Sequence, residues 1–396
     1  MASSNITVHT YASPGMGSVN THWIESPTGI VVIDGQRLTS QAQVVIDEIK
    51  KAGKPVVALI LTHIHPDHVG GTAAFAQAFP DAQILASREA TDGLTSDPGG
   101  LLALARQWLA PDFGVATPTA LLTDGGTLSL AGMTFDVKQV GPGEAFTMNV
   151  LYLQDTQALF AADVVCNAMT PFLAEQHTND WLKQLDWLAT TFPGAQMVYP
   201  GHGAPAQLGQ LVTDTRAYIT AVRDLVKKHQ TVQPKQTPEA RAEIIAALDA
   251  MFPGLVPVVA IPDAVGMNVD GVWAELLRES QPAPSDSWAW RWYEKHLTFF
   301  YEKDVEGLLK SDYAEDCQLV SYDFAVKGHG AMRQIFTAYL EMMGDFTLKS
   351  TDHFTVTEDS IMLEATLTGQ KFGERKVYDV LVFRDGKAIY HFTGLK

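Results

Sequence analysis

The apolar and polar positions of the first 60 residues alternate in a way that is typical of a layered α/β domain. The patterns predict strands over Val19–Glu25 and Ile30–Asp34, and then a helix over about residues 40–51. The continuous apolar run Val56–Leu61 predicts a buried strand. It leads directly into the tract His63-Ile64-His65-Pro66-Asp67-His68, which we therefore expect in a loop at a strand end, the usual place for a functional site.

The rest of the pattern predicts several domains, as the length of 396 residues also indicates. We expect residues 1–206 to form the first domain and residues 207–280 to form a helical extension packed on it. Residues 281–287 are rich in Pro and Ser, which is typical of a linker. Residues 288–396, beginning with a predicted helix Trp288–Lys310, would then form a separate α+β domain.

Charge and apolar content narrow the class of protein. A formal net charge of −17 repels polyanions, so we expect no nucleic-acid partner. No apolar run approaches the ~18 residues that suggest a membrane span, and the N-terminus lacks the features of a signal peptide. We therefore expect a cytoplasmic protein with a small-molecule substrate and no membrane partner.

Three histidines and an aspartate are crowded into the tract that follows the buried strand, at His63, His65, Asp67 and His68. Neutral imidazole and carboxylate suit Zn²⁺, and a catalytic zinc takes about three protein ligands plus a water. Side chains of one loop can point toward two neighbouring positions, so the tract can supply ligands to two metals. A loop that is His-rich by chance is the simpler interpretation, but the order and density of the donors favour a metal site.

The tract follows the pattern His-x-His-x-Asp-His, and here the chain resembles the metallo-β-lactamase superfamily over about residues 5–205. Asp34 at a strand end, Asp163 in Ala161-Ala162-Asp163 and His202 in Tyr199-Pro200-Gly201-His202-Gly203 also match. The resemblance implies an α/β fold of the αββα sandwich type with two metal positions. His63 and His65 would serve a first metal, Asp67, His68 and His202 a second, and Asp163 both.

One position departs from the family pattern. Where most members carry a third histidine of the first site, the chain reads Gly143-Glu144-Ala145-Phe146-Thr147, and phenylalanine has no lone pair to donate. We therefore expect one tightly held zinc and a second that is weak or absent, with another divalent metal as an alternative. Three residues are candidates for a substitute ligand, although each is also interpretable as a surface or capping residue: Glu144, Glu175 and His177.

Such a site supports metal-assisted hydrolysis through a metal-activated water, with Asp67 or Asp163 orienting it and taking up a proton. Because the chain is acidic, a small ester, lactone or thioester fits better than a nucleic acid. A ligand-binding or regulatory protein with an eroded metal site is the alternative, which Phe146 keeps open. A third interpretation is an oxidative enzyme that uses one iron. The relatives of this kind, however, rely on the metal site that Phe146 damages.

Residues 288–396 resemble the SnoaL-like or ketosteroid-isomerase-like cone fold, in which helices wrap a curved sheet. The similarity includes the tract Gly328-His329-Gly330-Ala331-Met332 before a helix and a closing hairpin over Arg384-Asp385-Gly386-Lys387. The resemblance implies an apolar cavity, into which His329, His353 and His391 are candidates to project. The simpler interpretation is that these histidines are packing or surface residues and that the domain forms a homodimer.

Overall fold

The strands of the N-terminal half form two sheets in the computed structural model, which describes residues 5–230, 236–280, 287–369 and 371–395. The first sheet has its strands in chain order: β1 (Thr7–Ala12), β2 (Asn20–Glu25), β3 (Ile30–Ile33), β4 (Val56–Ile60), β5 (Gln83–Ala86) and β6 (Ala120–Leu121). Strands β3 to β6 pair in parallel. Strands β3 and β4 are almost wholly buried, which explains their continuous apolar sequences.

The second sheet has the strand order β12-β10-β9-β8-β7. Its strands are β7 (Thr127–Leu130), β8 (Met133–Val140), β9 (Met148–Leu153), β10 (Ala158–Ala162) and β12 (Met197–Pro200), while β11 (Met169–Thr170) pairs separately with β13 (Val256–Pro257). Val31 and Ile60 of the first sheet share one hydrophobic core with Phe135 and Leu151 of the second. The two sheets therefore pack face to face.

Helices cover the outer faces of both sheets. Those of the first half are α1 (Thr39–Lys51), α2 (Pro66–Val69), α3 (Thr72–Ala78), α4 (Arg88–Ser96) and α5 (Leu101–Leu109). The later ones are α6 (Thr178–Thr191), α7 (Leu208–His229), α8 (Pro238–Met251) and α9 (Ala264–Ser280). Ile46 of α1 packs with Val32 and Leu59 of the first sheet, whereas Trp181 of α6 and Ile219 of α7 share the core of the second. The layers are thus helix, sheet, sheet and helix.

The C-terminal part of the chain has a hydrophobic core of its own, and the contacts divide the protein into two compact units, residues 1–278 and 279–396. The C-terminal unit contains α10 (Trp288–Glu302), α11 (Val305–Asp312), β14 (Tyr313–Val320), β15 (Ala325–Lys327), α12 (His329–Met343), β16 (Phe346–Val356), β17 (Ser360–Gly369), β18 (Gly373–Arg384) and β19 (Lys387–Leu395). Its strands form one sheet in the order β15-β14-β19-β18-β17-β16. The predicted linker lies outside the described residues except for Ser287, which caps α10 by accepting a hydrogen bond from the Trp290 N–H.

The single helix predicted over Trp288–Lys310 is wrong. Helix α10 ends at Glu302, and the next residue, Lys303, has a left-handed φ of 57°. The Asp304 carboxylate then accepts the Gly307 N–H at 2.8 Å at the start of α11. A side chain that caps an N-terminus offers the backbone an alternative to continuing the helix. Among all the described helices, none has both the length and the apolar character to cross a membrane.

Candidate metal centre

The predicted ligands follow the carboxyl ends of buried strands. Strand β4 leads into His63 and His65, and Pro66 then begins α2, which carries Asp67 and His68. In the other sheet, β10 ends just before Asp163 and its parallel neighbour β12 ends two residues before His202. Carboxyl ends of parallel strands share one edge of a sheet, so the topology brings these side chains together although they are far apart in sequence.

Donor atoms of four buried side chains form the first group, in which all lie within 4.8 Å of one another: His63, His65, Glu144 and Asp163. Glu144 Oε2 is 3.1 Å from His65 Nδ1 and 3.7 Å from His63 Nε2. The group thus has two imidazoles and two carboxylates, a donor set suited to a divalent metal.

A second group consists of Asp67, His68 and His202, again with donor atoms within 4.8 Å. Asp163 Oδ2 lies 3.2 Å from His68 Nε2 and 3.1 Å from His202 Nε2, and 3.8 Å from His63 Nε2 of the first group. One oxygen of Asp163 therefore stands between the two groups. The role of Asp163 as a residue shared by two metals, which the sequence resemblance implies, stays a prediction.

The interpretation of Glu144 as a surface or capping residue is wrong, because its side chain is only 2% exposed and faces His63 and His65. Phe146 lies two residues farther along the same loop and packs near Ile64 and Gly93, where an added Cβ on Gly93 would come within 2.8 Å of the Phe146 ring. Glu144, a different side chain of the same loop, therefore lies where a substitute donor for the first group would be needed.

Each histidine of the two donor groups has its other ring nitrogen held by an acceptor. Ser18 O accepts from His202 Nδ1 at 2.6 Å, and the Asp34 carboxylate accepts from His68 Nδ1 at 2.8 Å. For His63 the tautomer follows from its neighbour, because Thr62 gives its single hydroxyl proton to Asp34 and must accept from His63 Nδ1. Such anchoring leaves an Nε2 lone pair on these rings facing the centre.

Glu175 holds the fourth histidine and is not itself in either group. Its Oε1 accepts from His65 Nε2 at 3.0 Å, which turns Nδ1 toward Glu144. Two side chains of the helical extension hold the loop that carries Glu175. Asn268 accepts a hydrogen bond from the Leu173 N–H, and Glu275 accepts one from the Thr178 N–H. His177, the third suggested substitute ligand, immediately precedes α6 and also lies outside both groups of described residues.

The carboxylates and imidazoles shift one another's acidity. Burial alone would lower the pKa of His65, but the carboxylates of Glu144 and Glu175 raise it well above its usual range. Burial raises the pKa of Glu144 to about 7. Burial alone would raise the pKa of Asp163, but His202 and His68 hold it well below the usual range. The centre thus holds excess negative charge that either protons or a cation must balance.

Three buried atoms of this centre make no hydrogen bond of acceptable geometry within the described chain: His63 Nε2, Glu144 Oε2 and Asp163 Oδ1. Leaving such polar atoms buried and unpaired costs free energy, whereas a bound cation would satisfy all three. Gly201 adds to the fit, because any Cβ there would overlap the Asp163 carboxylate and crowd His68. The residues present therefore fit one metal in each group.

A cleft of about 390 Å³ adjoins His65 and Glu175. Its walls are mainly apolar and include Leu101, Phe146 and Phe172. A ligand in this cleft would meet the metal centre at one end and apolar side chains elsewhere, which is the usual composition of a small-molecule site.

The three histidines suggested for the C-terminal unit have different surroundings. His391 is buried and lines a cavity, His353 is exposed on β16, and His329 bonds through Nε2 to the Tyr313 carbonyl. The suggestion that His329 and His353 project into the cavity is therefore wrong. Sequence reasoning also missed His296 and Asp379, which do line it, because pairing between helices and strands sets their positions.

The chain is similar to known proteins over its N-terminal half. Residues 14–202 match the profile described as the metallo-beta-lactamase superfamily. A linear primary-alkylsulfatase of Pseudomonas sp. is 26% identical over 244 residues, which is 51% of this chain and 45% of the relative. An atrochrysone carboxyl ACP thioesterase of Aspergillus novofumigatus is 24% identical over 202 residues, or 50% of this chain and 52% of the relative.

The solved structure of a metallo-beta-lactamase family protein from Thermus thermophilus is similar with a TM-score of 0.50 and 22% identity, covering 69% of this chain and 93% of that one. At this identity the likeness concerns the fold. The chain spans only about half the length of the two curated relatives. Its homologues nevertheless include hydrolases of this superfamily.

Proposed function

We propose that this chain, which carries a domain of the metallo-β-lactamase superfamily over residues 14–202, is a metal-dependent hydrolase of a small ester, lactone or thioester with an apolar group. The observation that carries the proposal is the pair of buried donor groups joined at Asp163. A regulatory protein with an eroded site would have no reason to bury unpaired Glu144 and His63 atoms around a common point.

We expect two zinc ions per chain rather than one strong and one weak. His63, His65 and Glu144 would hold the first, Asp67, His68 and His202 the second, with Asp163 shared. This revises the expectation drawn from Phe146, because Glu144 supplies the missing donor. Metals bound there would lower the pKa of a water and polarise the bond under attack.

The protein side chains would then orient the reacting groups. Asp67 and Asp163 stay ionised, since the pKa of each is held below its usual range by the neighbouring His68 and His202 despite burial. Each carboxylate can accept a hydrogen bond from a water and fix its direction. The apolar cleft beside His65 would hold the acyl or alkyl group and exclude bulk water.

The test is hydrolysis by the zinc-replete full chain of matched six-carbon substrates: a p-nitrophenyl ester, a lactone and an acyl thioester. We expect turnover of at least one class, and none by Asp163→Ala. Asp81→Ala is the matched control, because Asp81 is exposed and lies before the amino end of β5, whereas the centre follows the carboxyl ends of strands. If the wild type and Asp163→Ala give equal rates with all three classes, the hydrolase proposal is wrong.

Phe146→Ala tests the cleft. Removing this ring from the wall should raise KM for a six-carbon ester several-fold more than for an acetate ester, because less apolar surface is buried. Metal content should not change, since Phe146 donates to neither group. Equal effects on both esters would place the substrate elsewhere.

Alkyl sulfate esters are a second candidate class. The match to a linear primary-alkylsulfatase supports it, as does a cleft whose apolar walls suit an alkyl chain. Octyl sulfate therefore belongs in the substrate panel. Sulfate release that exceeds the rates with carboxylic substrates would make this class the leading one.

We also propose that the C-terminal unit has the cone fold and forms a homodimer. The outer face of its sheet carries an apolar row, which the strand register places side by side across four strands: Met362, Val380, Phe392 and Val320. Met362 is 54% and Phe392 41% exposed. Such a row can pair with its own copy across a two-fold axis.

Sedimentation velocity tests this assembly. The full chain should be a dimer at about 10 µM, a concentration above a Kd of ~1 µM, and Phe392→Lys should shift it to monomer. Thr337→Lys, on an exposed position of α12, is the control. A monomeric wild type would rule the dimer out.

A further inference from the structure

The loop that carries Glu175, residues 171–179, is bound at its first residues by helix α9. Asn268 of α9 is buried, and its side-chain amide uses both of its ends on the loop backbone. Nδ2 donates to the Pro171 carbonyl at 2.8 Å, and Oδ1 accepts the Leu173 N–H at 2.6 Å. A donor and an acceptor in one rigid group fix both the distance and the direction of this end of the loop.

Glu275 lies about two turns farther along α9 and binds the last residues of the same loop. Its carboxylate accepts hydrogen bonds from the N–H groups of Thr178 and Asn179, each at 3.0 Å. Arg223 of α7 lies 3.2 Å from this carboxylate, and both charged side chains are buried. Because moving either one would leave a buried charge uncompensated, the position of Glu275 is firmly set.

Gly271 and Arg278 contact the middle of the loop. A Cβ on Gly271 would lie 2.8 Å from Ala174 Cα and 2.9 Å from the Leu173 carbonyl oxygen, which is closer than such atoms normally approach. Helix α9 therefore lies as near to the loop backbone as a glycine permits. Arg278 donates a hydrogen bond to the Gln176 carbonyl at 3.2 Å. These two contacts lie on either side of position 175.

The four α9 residues follow one another at intervals of three or four, so they lie on one side of the helix. We call them the α9 face: Asn268, Gly271, Glu275 and Arg278. The Glu175 side chain has a different partner, since its Oε1 accepts from His65 Nε2 at 3.0 Å. The backbone around Glu175 is thus held by α9, while its carboxylate holds a histidine of the first donor group.

We propose that the α9 face positions Glu175, so that Glu175 orients His65 toward the first donor group. This inference rests on the proposed metal centre and assigns a part in it to a helix beyond the family domain. The second donor group should not depend on the α9 face, because its histidines are held by Ser18 and Asp34 instead.

Gly271→Ala tests the proposal, because the added Cβ must displace the loop backbone beside Glu175. In the full chain the zinc affinity of the first group, measured by competition with a fluorescent chelator, should fall about 10-fold. Gly209→Ala in α7 is the matched control, since it gains the same helix propensity and a Cβ there would meet nothing within 4 Å. Glu144→Ala should retain only the second group, and adding Gly271→Ala to it should leave that zinc affinity unchanged.

A double-variant comparison separates positioning from a general loss of stability. If the α9 face acts through Glu175, Gly271→Ala should change the zinc affinity of the first group by less than about twofold in a Glu175→Gln background. A general destabilisation would lower the affinity equally in both backgrounds and would contradict the proposal.

Arg278→Ala keeps the test valid if Gly271→Ala does not fold, because Arg278 is exposed. It should weaken zinc binding by the first group about threefold, as expected for one exposed hydrogen bond. Arg216→Ala, which removes a similar hydrogen bond from α7 to the Leu182 carbonyl of α6, is its control.

The proposal is overturned if the wild type binds two zinc ions and both Gly271→Ala and Arg278→Ala bind them equally tightly. It is also overturned if Gly271→Ala weakens both donor groups to the same extent. A wild type that binds no zinc would overturn the metal centre and this inference together, so the two failures are distinguishable.

Discussion

Both units bury a cluster of histidines and carboxylates, but the two clusters satisfy their polar atoms in different ways. In the C-terminal unit each carboxylate has its own partner, as Asp379 has His391 and Asp312 has His296, with one hydrogen bond of 2.8 Å in each pair. In the N-terminal unit Asp163 alone faces three histidines.

The two clusters differ in which polar side-chain atoms have no hydrogen-bond partner. In the N-terminal cluster one ring nitrogen of each histidine is held by an acceptor outside the donor groups. The other ring nitrogen therefore points, together with carboxylate oxygens, toward a common position. Converging acceptors repel one another unless a cation lies among them. Paired groups such as Asp379 and His391 need no cation. Donor atoms that converge without a partner therefore distinguish the candidate metal centre from the paired groups of the C-terminal unit.

The largest expected effect comes from removing the shared donor. Asp163→Ala should lower the hydrolytic rate by more than about 100-fold, the upper end for residues that merely orient a ligand, because both donor groups lose an oxygen. Rates measured with fixed zinc concentrations check this, with Asp81→Ala as control. A loss of less than tenfold would mean that Asp163 does not join the two groups.

Glu175→Gln should have a smaller effect. The amide can still contact His65 Nε2, but it binds the imidazole more weakly than a carboxylate does, so zinc affinity should fall about 10-fold to 100-fold. Competition with a fluorescent chelator measures the affinity. Glu89→Gln, an exposed residue of α4, is a suitable comparison. An unchanged affinity would show that Glu175 does not position the histidine.

The smallest effect is expected in the C-terminal unit and concerns pH. His296 has a lowered pKa when folded, so below the unfolded value of 6.5 the unfolded chain takes up a proton more readily than the folded one. The free energy of unfolding should therefore fall as pH decreases from 7.5 to 5.5. His296→Asn, which keeps a donor near Asp312 but does not titrate, should flatten this dependence.

Calorimetric unfolding at the two pH values measures this contribution. His353→Asn, which replaces an exposed histidine of the same unit, should retain the wild-type pH dependence. The assignment of His296 as a buried neutral residue is wrong if the melting temperatures of His296→Asn and the wild type decrease by the same amount between pH 7.5 and 5.5.

The two clusters also differ in how much of them the sequence could predict. His63 to His68 are close in sequence and follow an apolar strand, so their donor chemistry was readable directly, and the resemblance added Asp163 and His202. Glu144 was named only as one of three substitutes, because the path of the β8–β9 loop decides which of its side chains faces inward. Nothing in the local pattern distinguishes Glu144 from a surface residue.

In the C-terminal unit the sequence predicted the closing hairpin over Arg384–Lys387, which joins β18 and β19, but not the polar wall of the cavity. Asp379 and His391 lie on neighbouring strands, and their meeting depends on strand register. His296 and Asp312 are joined across the break at Lys303, where the sequence predicted a continuous helix. Pairs set by tertiary packing carry no periodic signal.

The most direct test of the central claim is the number of metals per chain. Protein purified without chelator and supplied with zinc should contain two equivalents by elemental analysis, and Glu144→Ala should contain one, because only the first donor group loses a ligand. Glu89→Ala should keep two. A wild type with one zinc, or a Glu144→Ala variant that still holds two tightly, would contradict the assignment of Glu144. Protein that binds no metal under these conditions would overturn the metal centre itself.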